Sequence, residues 1–242
     1  MKYRGRHQAR RKRRIVGILI AVAALALIAC PFVEPYLLQV ESVTLTSDDL
    51  PADIARLKIV YLSDIHQGAF FSSNRVQNLI TQVNSLNPDI ILLGGDYANT
   101  SDEAIAFFEN APSFHARYLT AAVLGNHDRT VPESNLTKLG QVMYAAGVTP
   151  LVNSVARVKI GADYIYLAGI DDVDNGTPDL AGVAAQVRKE DYVIFLSHSP
   201  AILSQALDAK DQNGDKGWFD LALCGHTHGG QVTLLGQPLL PS

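Results

Sequence analysis

Along residues 57–234, short runs of apolar and β-branched residues alternate with segments whose apolar positions recur at helical spacing. The runs LKIVYLS (57–63), DIILLGGD (89–96), YLTAAVLGNHD (118–128), YVIFLSH (192–198) and DLALCGH (220–226) read as buried strands. Between the first two, SSNRVQNLITQVNSLNP places Val76, Leu79, Ile80, Val83 and Leu86 on one helical face. Ser72 or Ser73 can start this helix, and Asn87-Pro88 ends it. Further helices are expected over SDEAIAFFENA (101–111), 133–146, about 178–188, and PAILSQALDA (200–209). The stretch 148–172 reads as strands joined by Gly-Ala-Asp turn chemistry, and QVTLLG (231–236) as a last strand. The alternation predicts an α/β domain over 41–242 with helices covering a sheet, and the β-only stretch predicts that the sheet is mixed.

The N-terminal end breaks this pattern. Ile15–Val33 is a 19-residue run without charge, about the length that crosses a bilayer's hydrocarbon core. Residues 1–14 before it carry eight Lys/Arg and no acid. A single transmembrane anchor then has residues 1–14 in the cytoplasm and everything after Val33 on the extracytoplasmic side. Two other readings share these features. A cleaved signal lacks a good small-x-small site, and a lipoprotein signal would acylate Cys30 of LIAC, against which Pro31 counts. The anchor is the favoured reading.

Charge narrows the partners. Residues 15–242 hold 12 basic against 24 acidic residues, so the globular part is a poor nucleic-acid binder and none is expected. Two cysteines, Cys30 and Cys224, make no disulfide framework. The acidic loop DAKDQNGDKGW (208–218) mimics a calcium loop, but Lys216 stands in place of its glycine and Ala222 in place of its closing Glu. It reads as a solvated loop.

Chemistry gathers at the strand ends. The first run leads into Asp64 and His66, and the second ends in Asp96. The third ends in Asn126, His127 and Asp128, the fourth in His198, and the fifth in His226 and His228. Open α/β sheets place their sites at these carboxyl ends. Five of the seven histidines fall here; His7 and His115 read as surface residues. Each member alone has an innocent role as a cap, an Asx-turn or a polar strand end. Together they offer oxygen and nitrogen donors of the kind that suit Mn, Fe or Zn. They are too many for one tetrahedral ion, and a central carboxylate bridging two ions accounts for them. On an extended backbone, His226 and His228 would project into one space.

The ordered blocks DIH, GGD, GNHD, H and GHTH resemble the signature of calcineurin-like metallophosphoesterases. With SDIH, GHTHGGQ and the basic-apolar N-terminus, the chain resembles their YkuE/YaeI-like, membrane-anchored branch. The resemblance implies a four-layer αββα sandwich of mixed sheets after one transmembrane helix. It implies two divalent cations: one on Asp64, His66 and His228, the other on Asn126, His198 and His226, with Asp96 bridging. His127 is then the unligated catalytic histidine, and Asp128 orients it. Family members continue past GGQ with further strands, whereas this chain stops at Ser242, which raises the expectation of missing C-terminal strands.

The implied activity is hydrolysis of a phosphomonoester or phosphodiester by a metal-bridging hydroxide, with His127 protonating the leaving group. An anchor adds lipid-linked and cell-envelope phosphoesters to the candidate substrates. The alternatives are a metal-binding but catalytically idle scaffold or sensor at the membrane, and a dimetal hydrolase of carbon esters or amides.

Overall fold

The computed structural model describes residues 2–33, 37–46, 50–51, 53–54, 56–130, 133–228, 233–234 and 237–238. The chain divides into two compact units, Met1–Leu45 and Thr46–Ser242.

The second unit is built on two four-stranded sheets. In the first, β1 (Ile59–Leu62), β2 (Ile90–Leu93), β3 (Leu119–Ala122) and β4 (Val148–Pro150) lie side by side in that order, all parallel. In the second, β5 (Ser154–Ile160), β6 (Asp163–Gly169), β7 (Tyr192–Ser197) and β8 (Leu221–Cys224) follow one another. There β5 pairs antiparallel with β6, and the other pairs are parallel. The expected mixing therefore holds for the second sheet. The first is parallel among the described residues, because α2 (Ser73–Ser85), α3 (Ser101–Asn110) and α4 (Glu133–Ala145) each return the chain to start the next strand alongside the last.

Period-two alternation decides which core each side chain joins. On β2, Ile91 and Leu93 face a cluster with Val76, Ile80 and Val83 of α2, Phe107 of α3 and Met143 of α4. Ile90 and Leu92 face the other way, onto Ile165, Leu167, Ile194 and Leu196 of the second sheet. The outer face of that sheet, with Val193 and Phe195, packs on Val183 of α5 (Leu180–Ala184), Ala206 of α6 (Leu203–Asp208) and Trp218. Helices thus cover both outer faces of a sheet-on-sheet core. That is why β2 reads as an unbroken apolar run: both of its faces are buried.

Several expected elements differ in extent. The helix expected over 178–188 is the five-residue α5. The one over 200–209 is a 3-10 turn, Pro200–Ile202, running into α6. The last strand is the two-residue β9 (Thr233–Leu234), paired with β10 (Gln237–Pro238). Residues 239–242, to which the expectation of missing strands attaches, lie outside the described residues, as do Gly229, Gly230 and Gln231 of the GGQ block. The acidic loop is not solvated throughout. Asp211 is buried and accepts main-chain N–H bonds from Lys189, Asn213 and Asp215, each at 2.8 Å. Its carboxylate holds its own loop.

In the first unit, α1 (Lys2–Val33) is one helix. Its described apolar side chains, Ile15, Val16, Ile18, Leu19, Ile20, Val22 and Leu25, are all exposed. Side chains at 27, 28 and 30–33, including Cys30, lie outside the described residues. Among the described residues no helix is long and apolar enough to cross a membrane.

Candidate metal centre

Strand register brings the strand-end residues together. Leu62, Leu93 and Ala122 are aligned across the first sheet, and Ser197 aligns with Cys224 in the second. Asp64, Asp96 and Asn126 follow shortly after the first three, and His198, His226 and His228 after the other two. Pairing continues past the strands: Asp64 and His66 donate their N–H to Gly95 and Asp96 carbonyls, both at 3.0 Å, and Gly225 donates to His198 at 2.8 Å.

The donors fall into groups whose ligand atoms lie within 4.8 Å of one another. Asp64, His66 and His228 form one; Asp64, Asp96 and His198 form another. The Asp96 carboxylate stands between the two sides, with Oδ2 3.5 Å from His66 Nε2 and 3.3 Å from His198 Nε2. Asn126 Oδ1 is 3.2 Å from His198 Nε2. His226 and His228 do not share one space, because the backbone between them is not extended. Both adopt positive φ, at 68° and 51°. His228 stacks on His66 with centroids 5.0 Å apart, and His226 meets His198 edge-on at 5.1 Å.

Backbone strain concentrates here. Seven described non-glycine residues have positive φ, and five of them are Asp64, His66, Asp96, His226 and His228. Such conformations persist only where the surroundings impose them, and they gather at functional sites. The neighbouring glycines permit the approach. Gly95 has φ 95°, and a Cβ there would lie 2.5 Å from the Gly125 nitrogen. A Cβ on Gly125 would strike Asp96 Oδ1.

Two residues behave differently from expectation. His127 lies edge-on to His66 at 5.0 Å, and its Nδ1 is 3.0 Å from the Asn99 carbonyl oxygen. The carboxylate of Asp128, expected to orient that ring, instead accepts main-chain N–H bonds from Asp96 (2.7 Å), Gly125 (2.9 Å) and Tyr97 (3.2 Å). Asp128 is fully buried and clamps the loops after β2 and β3 together. The orienting group is a main-chain oxygen. His127 also stands within 4.8 Å, atom to atom, of His66 and Asp96, so distance alone would let it serve as a ligand.

Electrostatics favour cation binding. Burial lowers the His66 pKa, and the His228 and His127 rings add to this, keeping the imidazole in its neutral, ligating form. Burial opposes ionisation of Asp96, but its bond to His198 and the His127 N–H (2.9 Å) outweigh it and hold the carboxyl below its usual range. His198 is disfavoured as a cation by burial, yet Asp96 and the Gly94 carbonyl (2.8 Å from Nδ1) raise it to about 9. Cys224 takes no such part, its thiol being pushed up to about 11 by burial. The decisive sign of fit is His66 Nε2, a buried nitrogen with no hydrogen-bond partner. A donor set of carboxylates and imidazoles around it suits a transition-metal ion.

The calcineurin-like phosphoesterase family model matches residues 57–230. The chain belongs to this family. It is 34% identical over 200 residues to phosphodiesterase YaeI of Escherichia coli, covering 77% of this chain and 67% of that one. To the metallophosphoesterase YkuE of Bacillus subtilis it is 28% identical, covering 93% and 78%. To a zebrafish transmembrane protein with metallophosphoesterase domain it is 29% identical, covering 90% of this chain but only 49% of the relative, about half its length. These relatives place the phosphoesterase in the YkuE/YaeI-like branch and make it a hydrolase of phosphoric esters.

Two parts of this phosphoesterase's centre escaped sequence reasoning. One is Asn99, which acts through a main-chain atom and so leaves no side-chain signal. The other is the loop Asp171–Thr177 after β6, where Arg129 Nη1 meets Asp171 Oδ1 at 3.0 Å and Asn175 Nδ2 donates to the Asn126 carbonyl at 2.9 Å. Asp171 and Asp172 close the stretch read as strands, the residues after them carry no motif, and only the buried Arg-Asp pair marks the loop as more.

Proposed function

We propose that the chain is a membrane-anchored, dinuclear metal-dependent phosphoesterase. The observation that carries this reading is the position of Asp96, one carboxylate oxygen within 3.5 Å of imidazole nitrogens on either side. Asp64, His66 and His228 would hold one divalent cation, Mn, Zn or Fe; Asn126, His198 and His226 would hold the other, and Asp96 would be shared. When bound, such a pair polarises the phosphoryl group, acidifies a water and aligns attacking and leaving oxygens.

The chain's own residues supply the rest. The Asn99 carbonyl accepts from His127 Nδ1–H and directs Nε2 away from Asn99. From there His127 gives a proton to the departing alkoxide, as a general acid. Asp128 fixes the main chain of Asp96 and Gly125, so ligand and acid keep their spacing. Both phosphomonoesters and phosphodiesters fit this machinery. The name of the relative YaeI favours a diester.

The anchor reading rests on the eight basic residues before the apolar run and on the exposed apolar side chains of α1, which a bilayer would cover. The catalytic domain then sits on the extracytoplasmic side, within reach of lipid-linked or envelope phosphoesters. The zebrafish relative's name, a transmembrane protein, agrees.

The test is a panel of phosphate mono- and diesters, lipid headgroup esters included, offered to the detergent-purified chain loaded with Mn, Zn or Fe. Turnover that chelation abolishes and reloading restores is expected. Cations bound without turnover of any ester would favour the idle scaffold, which the presence of His127 beside the ligand set argues against.

A further inference from the structure

The loop Asp171–Thr177 belongs to no motif, yet it reaches two of the three residues assigned to the second cation alone, Asn126 and His226. Asn175 Nδ2 holds the Asn126 carbonyl at 2.9 Å. Asp174 Oδ2 lies 3.9 Å from His226 Nε2. Asp172 is fully buried, and its Oδ2 accepts N–H bonds from Asp174 (3.1 Å) and Asn175 (2.7 Å). Its Oδ1 is buried with no hydrogen-bond partner. A buried carboxylate oxygen left unpartnered is costly, and proteins retain such groups where something else engages them.

The loop is locked in place. Asp171 Oδ1 pairs with Arg129 Nη1 at 3.0 Å, the two side chains being 2% and 11% exposed. Asp171 Oδ1 also accepts from Asp172 N (2.8 Å), and Oδ2 from Thr177 N (2.9 Å). Arg129 Nε donates to the Asn175 carbonyl at 3.3 Å. Arg129 directly follows Asp128, so this pair ties the loop after β6 to the loop that carries Asn126.

We propose that the Asp171–Thr177 loop, clamped by the Arg129–Asp171 pair, is a positioning element that sets the affinity of the second cation and not of the first. It does so by holding the main chain of Asn126 through Asn175, by setting the Asp174 carboxylate beside His226, and by adding the buried Asp172 carboxylate behind them. An amide oxygen is the weakest donor in the set, so the second side depends most on such support. Outer contacts of this kind are worth 10–100-fold in metal affinity, as an order of magnitude. The inference rests on the two-cation reading above.

The test is a Mn²⁺ titration of the full chain in detergent, followed by electron paramagnetic resonance. Free Mn²⁺, singly bound Mn²⁺ and a spin-coupled pair give separate signals. Wild type should fill in two steps. Arg129→Met, Asp172→Asn and Asn175→Ala should each weaken the second step by about 10–100-fold while leaving the first unchanged. The coupled-pair signal should then vanish at Mn²⁺ levels that still fill the first site. Arg129→Met removes a buried charge partner; if it fails to fold, Asp172→Asn and Asn175→Ala decide, since both keep the clamp. Equal weakening of both steps, or an unchanged second step in those two variants, overturns the proposal. A wild-type chain that saturates in one step with no coupled pair overturns the two-cation reading itself, and the inference with it.

Discussion

His127 Nδ1 lies 3.0 Å from the main-chain oxygen of Asn99, and a carbonyl can only accept. The proton is therefore on Nδ1 in the neutral ring, and Nε2 is the nitrogen that can take up and release another. His127→Ala should retain its metal content but lose about 10²–10⁴-fold in kcat on alkyl phosphoesters, the range for a lost general acid. The loss should shrink on aryl esters, whose leaving groups need little protonation. Steady-state kinetics on both ester classes, with metal analysis alongside, checks this. Loss of metal would make His127 a ligand, as its distance to His66 and Asp96 would permit.

Asp96→Ala removes the carboxylate that faces both His66 and His198. Elemental analysis of wild type should approach two transition-metal ions per chain. The variant should lose more metal than His228→Ala or His226→Ala, each of which faces one side. Gly125→Ala should mimic it in part, because the added methyl would collide with Asp96 Oδ1. Retention of both ions in Asp96→Ala would remove it as the bridge.

Asp128→Asn should destabilise the fold by about 1–3 kcal/mol, since an amide has one oxygen for the three N–H groups that the carboxylate accepts. It also carries a pH signature. Burial is the largest cause raising its folded pKa to about 7 from 3.8. A raised carboxyl pKa means the folded chain binds the extra proton, so its contribution is fully present below about pH 4 and is lost as pH rises through about 7. Urea denaturation of the metal-free chain from pH 4 to 8 should show that slope in wild type and a flatter one in the variant.

Deleting residues 2–33 should release the protein from carbonate-washed membranes, whereas Cys30→Ser should leave it bound. External protease should reach the catalytic domain in spheroplasts without detergent. Protection until the membrane is opened would place the domain in the cytoplasm, and release of Cys30→Ser would favour acylation over the helix.

The strand-end donors were legible because side-chain type and place coincide. Asp64, Asp96, Asn126, His198 and His226 each follow an apolar run, and parallel register brings them together. The helices α2 and α3 were legible from apolar spacing and from breakers such as Asn87-Pro88. The resemblance implied two sheets, but which strand joins which sheet was not legible, because β4 and β5 lie in one β-only stretch and only long-range pairing separates them. Asp128 was misread for a related reason. Its carboxylate sits beside His127 in sequence, but its partners are amides of residues 96, 97 and 125, and main-chain atoms carry no identity. The Asp171–Thr177 loop was hidden because it carries no motif.

Asp64, His66, Asp96 and Asn126 come from one sheet, and His198, His226 and His228 from the other. Cations held among them, as proposed, would be rivets through the seam between the sheets, where otherwise apolar contact and a few hydrogen bonds do the joining. Each ion at a hundred times its Kd adds about 2.7 kcal/mol to the docked arrangement. Chelation should therefore loosen Ile90, Leu92, Ile194 and Leu196, which line that seam, before it unravels the helices outside. Hydrogen exchange at those amides would then report on metal supply, and scarcity of the ion would register as a mechanical weakness of the molecule as well as a chemical one.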